Sequence, residues 1–199
     1  SRLMTAAGTS VSISLVTVCI AVLAGVSFGV LAGYARGWTD RVIMAFNDAL
    51  LEFPSMLLAL ALLSITGANM YGIILALGIA YTPSMVRVVR GSVLSLRERE
   101  FIEASRIMGN SAAYTMFRHI VPNIAAPIVV LVTLWVASAI RLEASLSFLG
   151  LGTQPPNPSW GNIIRDGLNN LFGSPWPIIG AGFAITCVCL AFNLFGHAV

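Results

Sequence analysis

The side chains that could do chemistry are few, and their spacing excludes most of it. The two histidines, His119 and His197, stand far apart, with no paired acids beside either. Cys19, Cys187 and Cys189 all lie in apolar runs, and the i,i+2 spacing of the last two points them to different faces of a helix, so neither a disulfide framework nor a metal site is indicated. A membrane-embedded enzyme would need a catalytic constellation that this pattern does not supply. No stretch matches G-x-x-x-x-G-K-[ST], so nothing in the sequence can cradle ATP phosphates. A process driven by ATP would need that nucleotide, and its Mg²⁺, on another chain.

What remains is a polar island, EASRIMGNSAAYTMFRHIVP, at 103–122. Glu98, Glu100 and Glu103 precede Arg106 and Arg118, an order that suits a helix dipole. Phe101, Ala104, Ser105 and Met108 fall at spacings of three and four, which predicts one small, mostly apolar stripe. Gly109-Asn110 should end that helix, because glycine accepts the left-handed conformation. A second short helix is expected from Ser111 to Phe117, capped by Ser111, with Pro122 at the start of the next element. Such a stripe flanked by charge suits a groove on another protein or, alternatively, the membrane surface. His119 reads as a cap or interfacial contact.

The elements around the island are apolar to a degree that a soluble core does not explain. Of 199 residues 57% are hydrophobic and 10% charged, against about 25% charged in soluble domains. No charge appears at 3–35, 53–86, 119–140 or 167–199, and a helix crosses a bilayer with roughly 20 apolar residues. The first run is too long for a secretory signal and lacks a convincing cleavage site. The expected spans are 8–34, 42–65, 70 to about Arg87 and Arg90, 122–149 and 178–196, all in one domain. Gly25, Gly29 and Gly33 recur at the four-residue spacing that lets helices approach closely in lipid. Five prolines and two tryptophans mark 150–177 as a segment outside the membrane or at its interface. There an extended stretch or a bracing helix from Trp160 to Leu171 is expected, with Trp160 and Trp176 at the interface or on a partner surface.

All eleven basic residues are arginine, and eight of them fall on one side if the helices alternate. Short positively charged loops stay in the cytoplasm, so the loop at 97–120 is expected inside and 150–177 outside. The formal charge of +3 therefore speaks to orientation rather than to nucleic acid. Five spans would start the chain outside, which suggests a further N-terminal span. Among charges inside spans, Asp48 and Glu52 should pair with Arg87 and Arg90. Arg141 and Glu143, near the outer end of the fourth span, read as a structural pair or outer-gate element, with a site for a peptide terminus as the alternative. Tyr81, Trp135 and Ser138, in mid-span, either line a pathway or pack helices. A secondary carrier would need acids along a midplane pathway, whereas most acids here cluster near the arginine-rich side.

Several stretches together resemble a known family. Glu103-Ala104-Ser105, three residues, Gly109, nine residues, then His119-Ile120-Val121-Pro122 is similar to the EAA loop of ABC importer permeases, with Ser105, His119 and Val121 as departures. LAGYARGWTDR, FPSMLLALAL, EASLSFLGLGTQPPNPSWG and SPWP extend the resemblance over nearly the whole chain, to the C-type permease of the dipeptide/oligopeptide/nickel branch. The resemblance implies an all-α, type I ABC importer transmembrane domain in a bacterial cytoplasmic membrane, preceded in such proteins by one more span and followed by a short tail. It implies a second permease, two ATP-binding subunits that hold ATP and Mg²⁺, an extracytoplasmic substrate-binding protein, and no cofactor in this chain. Glu103, Ala104, Ser105 and Gly109 would then couple to the ATPase, with Arg106 and Met108 as neighbours. Glu143 belongs to the family's EASLSFLG motif, and Arg141 has no counterpart in it. The implied cargo is peptide, with nickel, glutathione or haem as alternatives.

Overall fold

The computed structural model describes residues 2–154, 156–169 and 173–198, and among them every regular element is helical. Helix α1 (Arg2–Ala35) is followed by α2 (Gly37–Leu51), α3 (Ser55–Thr66) and α4 (Met70–Arg97). A short α5 (Glu100–Ile107) and α6 (Ala112–Thr115) lead through a π-helical turn (Met116–Ile120) into α7 (Val121–Phe148), and α8 (Trp160–Leu168) and α9 (Trp176–Ala198) complete the order. Helix α8 ends at Leu168, and Leu171, its expected end, lies outside the described residues.

Four helical stretches are long and apolar enough to cross a membrane: Arg2–Ala35, Met70–Arg97, Ala112–Phe148 and Trp176–Gly196. The expected second span is not one straight helix. It is the pair α2 and α3, bent by 93° at Pro54, which has φ −53° and ψ 131°. Proline removes a helical N–H and bars the residue before it from helical geometry, so the apolar run breaks there. The third span does not stop at Arg87 and Arg90. Nothing between Gly91 and Arg97 forbids helix, and both arginines lie inside α4. Its start at Met70 follows from Asn69, whose side-chain carbonyl accepts from the Gly72 N–H at 2.8 Å.

The central seam is α1 against α4. A Cβ on Gly29 would lie 2.7 Å from Val89, and one on Gly33 2.8 Å from Val93, so these backbones meet at a separation only glycine permits. Three apolar clusters stack along the bundle. One joins Met85, Val89, Ile102, Ile120 and Ile124 at the arginine-rich end. A second surrounds Ile13, Leu63 and Leu77, and a third holds Ile140, Trp160, Ile163 and Ala181 at the opposite end. Helix α9 leaves Phe183, Leu190, Leu194 and Phe195 exposed, an outward apolar face that suits lipid or another chain.

Candidate functional site

Helix α5 is fastened to the bundle on one side and bare on the other. Ile102 is fully buried in the cluster with Ile120 and Ile124. Ser105 is also buried, its hydroxyl 3.2 Å from that of Thr115 and accepting from the Asn110 side-chain amide at 3.1 Å. Ser105, expected on the outward stripe, thus faces its own chain: the hydroxyl that departs from the EAA pattern finds its partners in Asn110 and Thr115. The outward face is instead Phe101, Ala104, Ile107 and Met108, with Ile107 80% and Met108 72% exposed. Ile107 completes the stripe at three residues beyond Ala104, a helical spacing that the sequence already contains. Glu103 is exposed beside it.

The end of α5 is built by glycine. Gly109 has φ +79°, its N–H donates to the Arg106 carbonyl at 3.0 Å, and the Asn110 N–H donates back to the Ser105 carbonyl at 3.2 Å. These two bonds form a Schellman closure, which requires a left-handed residue at that position. Ser111 then caps α6, accepting from the Tyr114 N–H. The expected separate helix to Phe117 does not form; the chain runs through the π turn into α7 without a break. Arg106 stacks its guanidinium 5.1 Å from the centre of the Tyr34 ring, and Arg97 donates to the Tyr34 carbonyl at 2.8 Å. The end of α1 therefore clamps α5. His119 packs between the rings of Phe101 and Tyr114.

The charges in the spans pair partly as expected: Asp48 meets Arg87, but Arg90 takes Asp40. Arg87 donates to Asp48 at 2.7 Å, with both side chains more than half exposed. Arg90 grips Asp40 with two hydrogen bonds, 2.6 and 2.7 Å, in a better shielded position. Glu52 makes no ion pair among the described residues, because α2 ends at Leu51 and the chain turns away at Phe53 and Pro54. A helix beginning at Val42, as the sequence predicts, would leave Asp40 outside it; α2 begins at Gly37, which puts Asp40 in the first turn.

Arg141 and Glu143 do not pair; two residues apart on a helix, they point to different sides. Glu143 is fully buried, accepts from the Ser147 hydroxyl at 2.7 Å, and is flanked by buried Ser10 and Ser159, while Oε2 lacks a well-formed hydrogen bond. The Trp160 backbone N–H donates to the Ser10 hydroxyl, and the Asn162 side chain donates to the Thr153 carbonyl at 2.6 Å. Glu143 therefore sits in a polar knot that ties α1, α7 and the start of α8. Trp160 is buried in that knot, not at an interface, whereas Trp176 is 74% exposed. Arg141 lies on the exposed side of α7, in line with Ser138, whose hydroxyl accepts from it at 2.9 Å, and Trp135, which stacks on Tyr81 with ring centres 5.8 Å apart.

The model of the binding-protein-dependent transport system inner membrane component matches residues 25–199. The chain belongs to this family. It is 38% identical over its whole length to the glutathione transport system permease protein GsiD of Pectobacterium atrosepticum. It is 39% identical to the dipeptide transport system permease protein DppC of Alkalihalophilus pseudofirmus and to a putative peptide transport system permease protein of Brucella suis. The chain spans 66% of the length of the first two relatives and 67% of the third. The fold is shared with a chain of the inward-facing MetNI methionine ABC transporter, at TM-score 0.81 and 16% identity over 98% of this chain and 93% of that one. A chain from an amino acid ABC transporter gives TM-score 0.72 at 15% identity, over 100% and 94%. This transport-system inner membrane component is thus a multi-pass membrane protein with the transmembrane fold of ABC importers.

Proposed function

We propose that this protein is the translocation subunit of an ATP-driven importer of peptides in the bacterial cytoplasmic membrane, and that α5 couples it to ATPase subunits. The observation that carries the reading is the two-sidedness of α5. Ile102 and Ser105 lock it into the bundle, while Phe101, Ala104, Ile107 and Met108 form a bare apolar face at the arginine-rich end. By the positive-inside rule that end is cytoplasmic, where an exposed amphipathic helix fits a groove on a partner. ATP and Mg²⁺ belong to that partner, since the chain has no phosphate-binding loop. A second permease completes the pathway, and a substrate-binding protein docks at the opposite end, around 150–177. The relatives named for dipeptide, peptide and glutathione transport support a peptide-like cargo.

The test uses the full-length permease assembled with its partner subunits in proteoliposomes. Ile107→Asp puts a charge on the bare face without touching the buried one. It should lower ATP-dependent peptide uptake by at least about tenfold, the effect of one desolvated charge of roughly 1.4 kcal/mol or more. Uptake and ATP hydrolysis at wild-type levels in this variant would overturn the assignment of α5.

A further inference from the structure

We propose that Arg141 holds a carboxylate of the transported solute, in a cavity between α3, α7, α8 and α9; the proposal rests on the importer reading above. A cavity of about 440 Å³ opens beside Arg141, walled by Met56, Phe148, Ile164 and Ile185 with Ser145 at its edge. That volume is in the range of small-ligand sites, which are apolar with a few placed polar groups. Among the described residues Arg141 is the only charged one in this lining. Among the described residues no carboxylate stands within ion-pair distance of it, and its guanidinium makes a hydrogen bond to the Ser138 hydroxyl.

Placement argues against a merely structural charge. Arg141 is seven residues from the end of α7 at Phe148, about 10 Å along the axis, near the outer end of the expected span 122–149. A charge at that depth is expensive against lipid and faces water, a cavity or a partner. Guanidinium presents a planar fork that matches a carboxylate with two hydrogen bonds, and Ser138 together with the neighbouring Cys189 thiol uses only part of its donor set. The nearby carboxyl, Glu143, is turned into the knot with Ser147 and cannot serve. Met56, Phe148, Leu149, Ile164 and Ile185 give an apolar wall for the remainder of a solute.

The experiment compares trialanine with trialanine amide in the reconstituted full-length importer, with the binding protein saturated by each compound. If Arg141 reads the carboxylate, Arg141→Gln lowers the ratio of free-acid to amide uptake by roughly tenfold to a hundredfold, the range expected for hydrogen bonds to a charged group. Arg141→Lys recovers part of that ratio by keeping the charge without the fork. An equal fall for both compounds would overturn the proposal and make Arg141 a partner of another subunit's carboxylate. An unchanged ratio with unchanged rates would overturn it in favour of a side chain reaching lipid headgroups. A wild-type complex that hydrolyses ATP yet imports neither compound would overturn the peptide-importer reading itself, and this assignment with it.

Discussion

Asp40 and Asp48 face neighbouring arginines of α4 from the same helix, but water reaches them differently. The Asp40–Arg90 pair is a two-bond fork with side chains 15% and 29% exposed, whereas Asp48–Arg87 is a single contact with both more than half exposed. Exposed pairs contribute about 0–1 kcal/mol, and shielded charge-assisted bonds about 1.5–3 kcal/mol. Asp40→Asn should therefore destabilise the assembled permease by roughly 1.5–3 kcal/mol and Asp48→Asn by under about 1 kcal/mol. Thermal unfolding of the purified complex at low and moderate salt checks this, and equal losses for the two variants would contradict it. The arginines and Asp48 could be read from the sequence because charge is rare there. Arg90's partner could not, since pairing depends on where α2 begins, and Arg36 and Gly37, both at positive φ, restart the helix earlier than apolar periodicity shows. Ser105 is a related case: spacing groups it with Ala104 and Met108, but only packing tells which side of a short helix is inward.

At the scale of the element, helix ends were more legible than helix continuity. The turn before Met70, the glycine stop after α5 and the Ser111 cap all follow from local residue chemistry and all appear. The bend at Pro54 is also a local signal, but it is masked in the sequence by the unbroken apolar composition of 53–86. The π turn escaped because nothing in MFRHI announces one. Its consequence is physical: a proline ring clashes with the carbonyl four residues back, and a widened turn just before Pro122 moves that carbonyl aside, so α6 and α7 remain one rod. The glycine stop supports a sharp prediction. A Cβ on Gly109 would meet nothing within 4 Å, so Gly109→Ala is penalised only by the left-handed backbone, about 1–2 kcal/mol. Gly109→Pro cannot reach φ +79° and also loses the N–H bonded to Arg106. On the coupling reading, membrane insertion survives in both variants. Peptide uptake per ATP hydrolysed drops modestly for alanine and at least about tenfold for proline, and equal uptake ratios in proteoliposomes would refute the role given to this stop.

For the whole molecule the question is how a push on α5 reaches the opposite end. Ile102 packs with Ile120 and Ile124, and Ser105 meets Thr115, so α5 bears on the rod that runs from Ala112 to Phe148, 37 residues or about 55 Å. That rod carries Arg141 on one side and, through Glu143 and Ser147, is knotted to α1 and α8 at its far end. The helical, membrane-spanning class and a close helix approach at Gly25, Gly29 and Gly33 were visible in the sequence, because composition and small-residue spacing determine them locally; that α4 is the partner was not. The knot was not, since it joins residues separated by many turns of chain, and neither was the rod, since it depends on the π turn that carries α6 into α7. Packed interiors transmit displacement rather than absorb it, so the Ser105–Thr115 contact is where the short helix engages the long one. Thr115→Val keeps the shape and removes the hydroxyl; Ser105→Ala removes the other half. If the two hydroxyls act as one link, each variant lowers uptake per ATP several-fold in the reconstituted complex while assembly persists, and the double variant is no worse than either single one. Losses that add in the double variant would place the two residues in separate roles and leave Ile102 as the main contact through which α5 moves the rod.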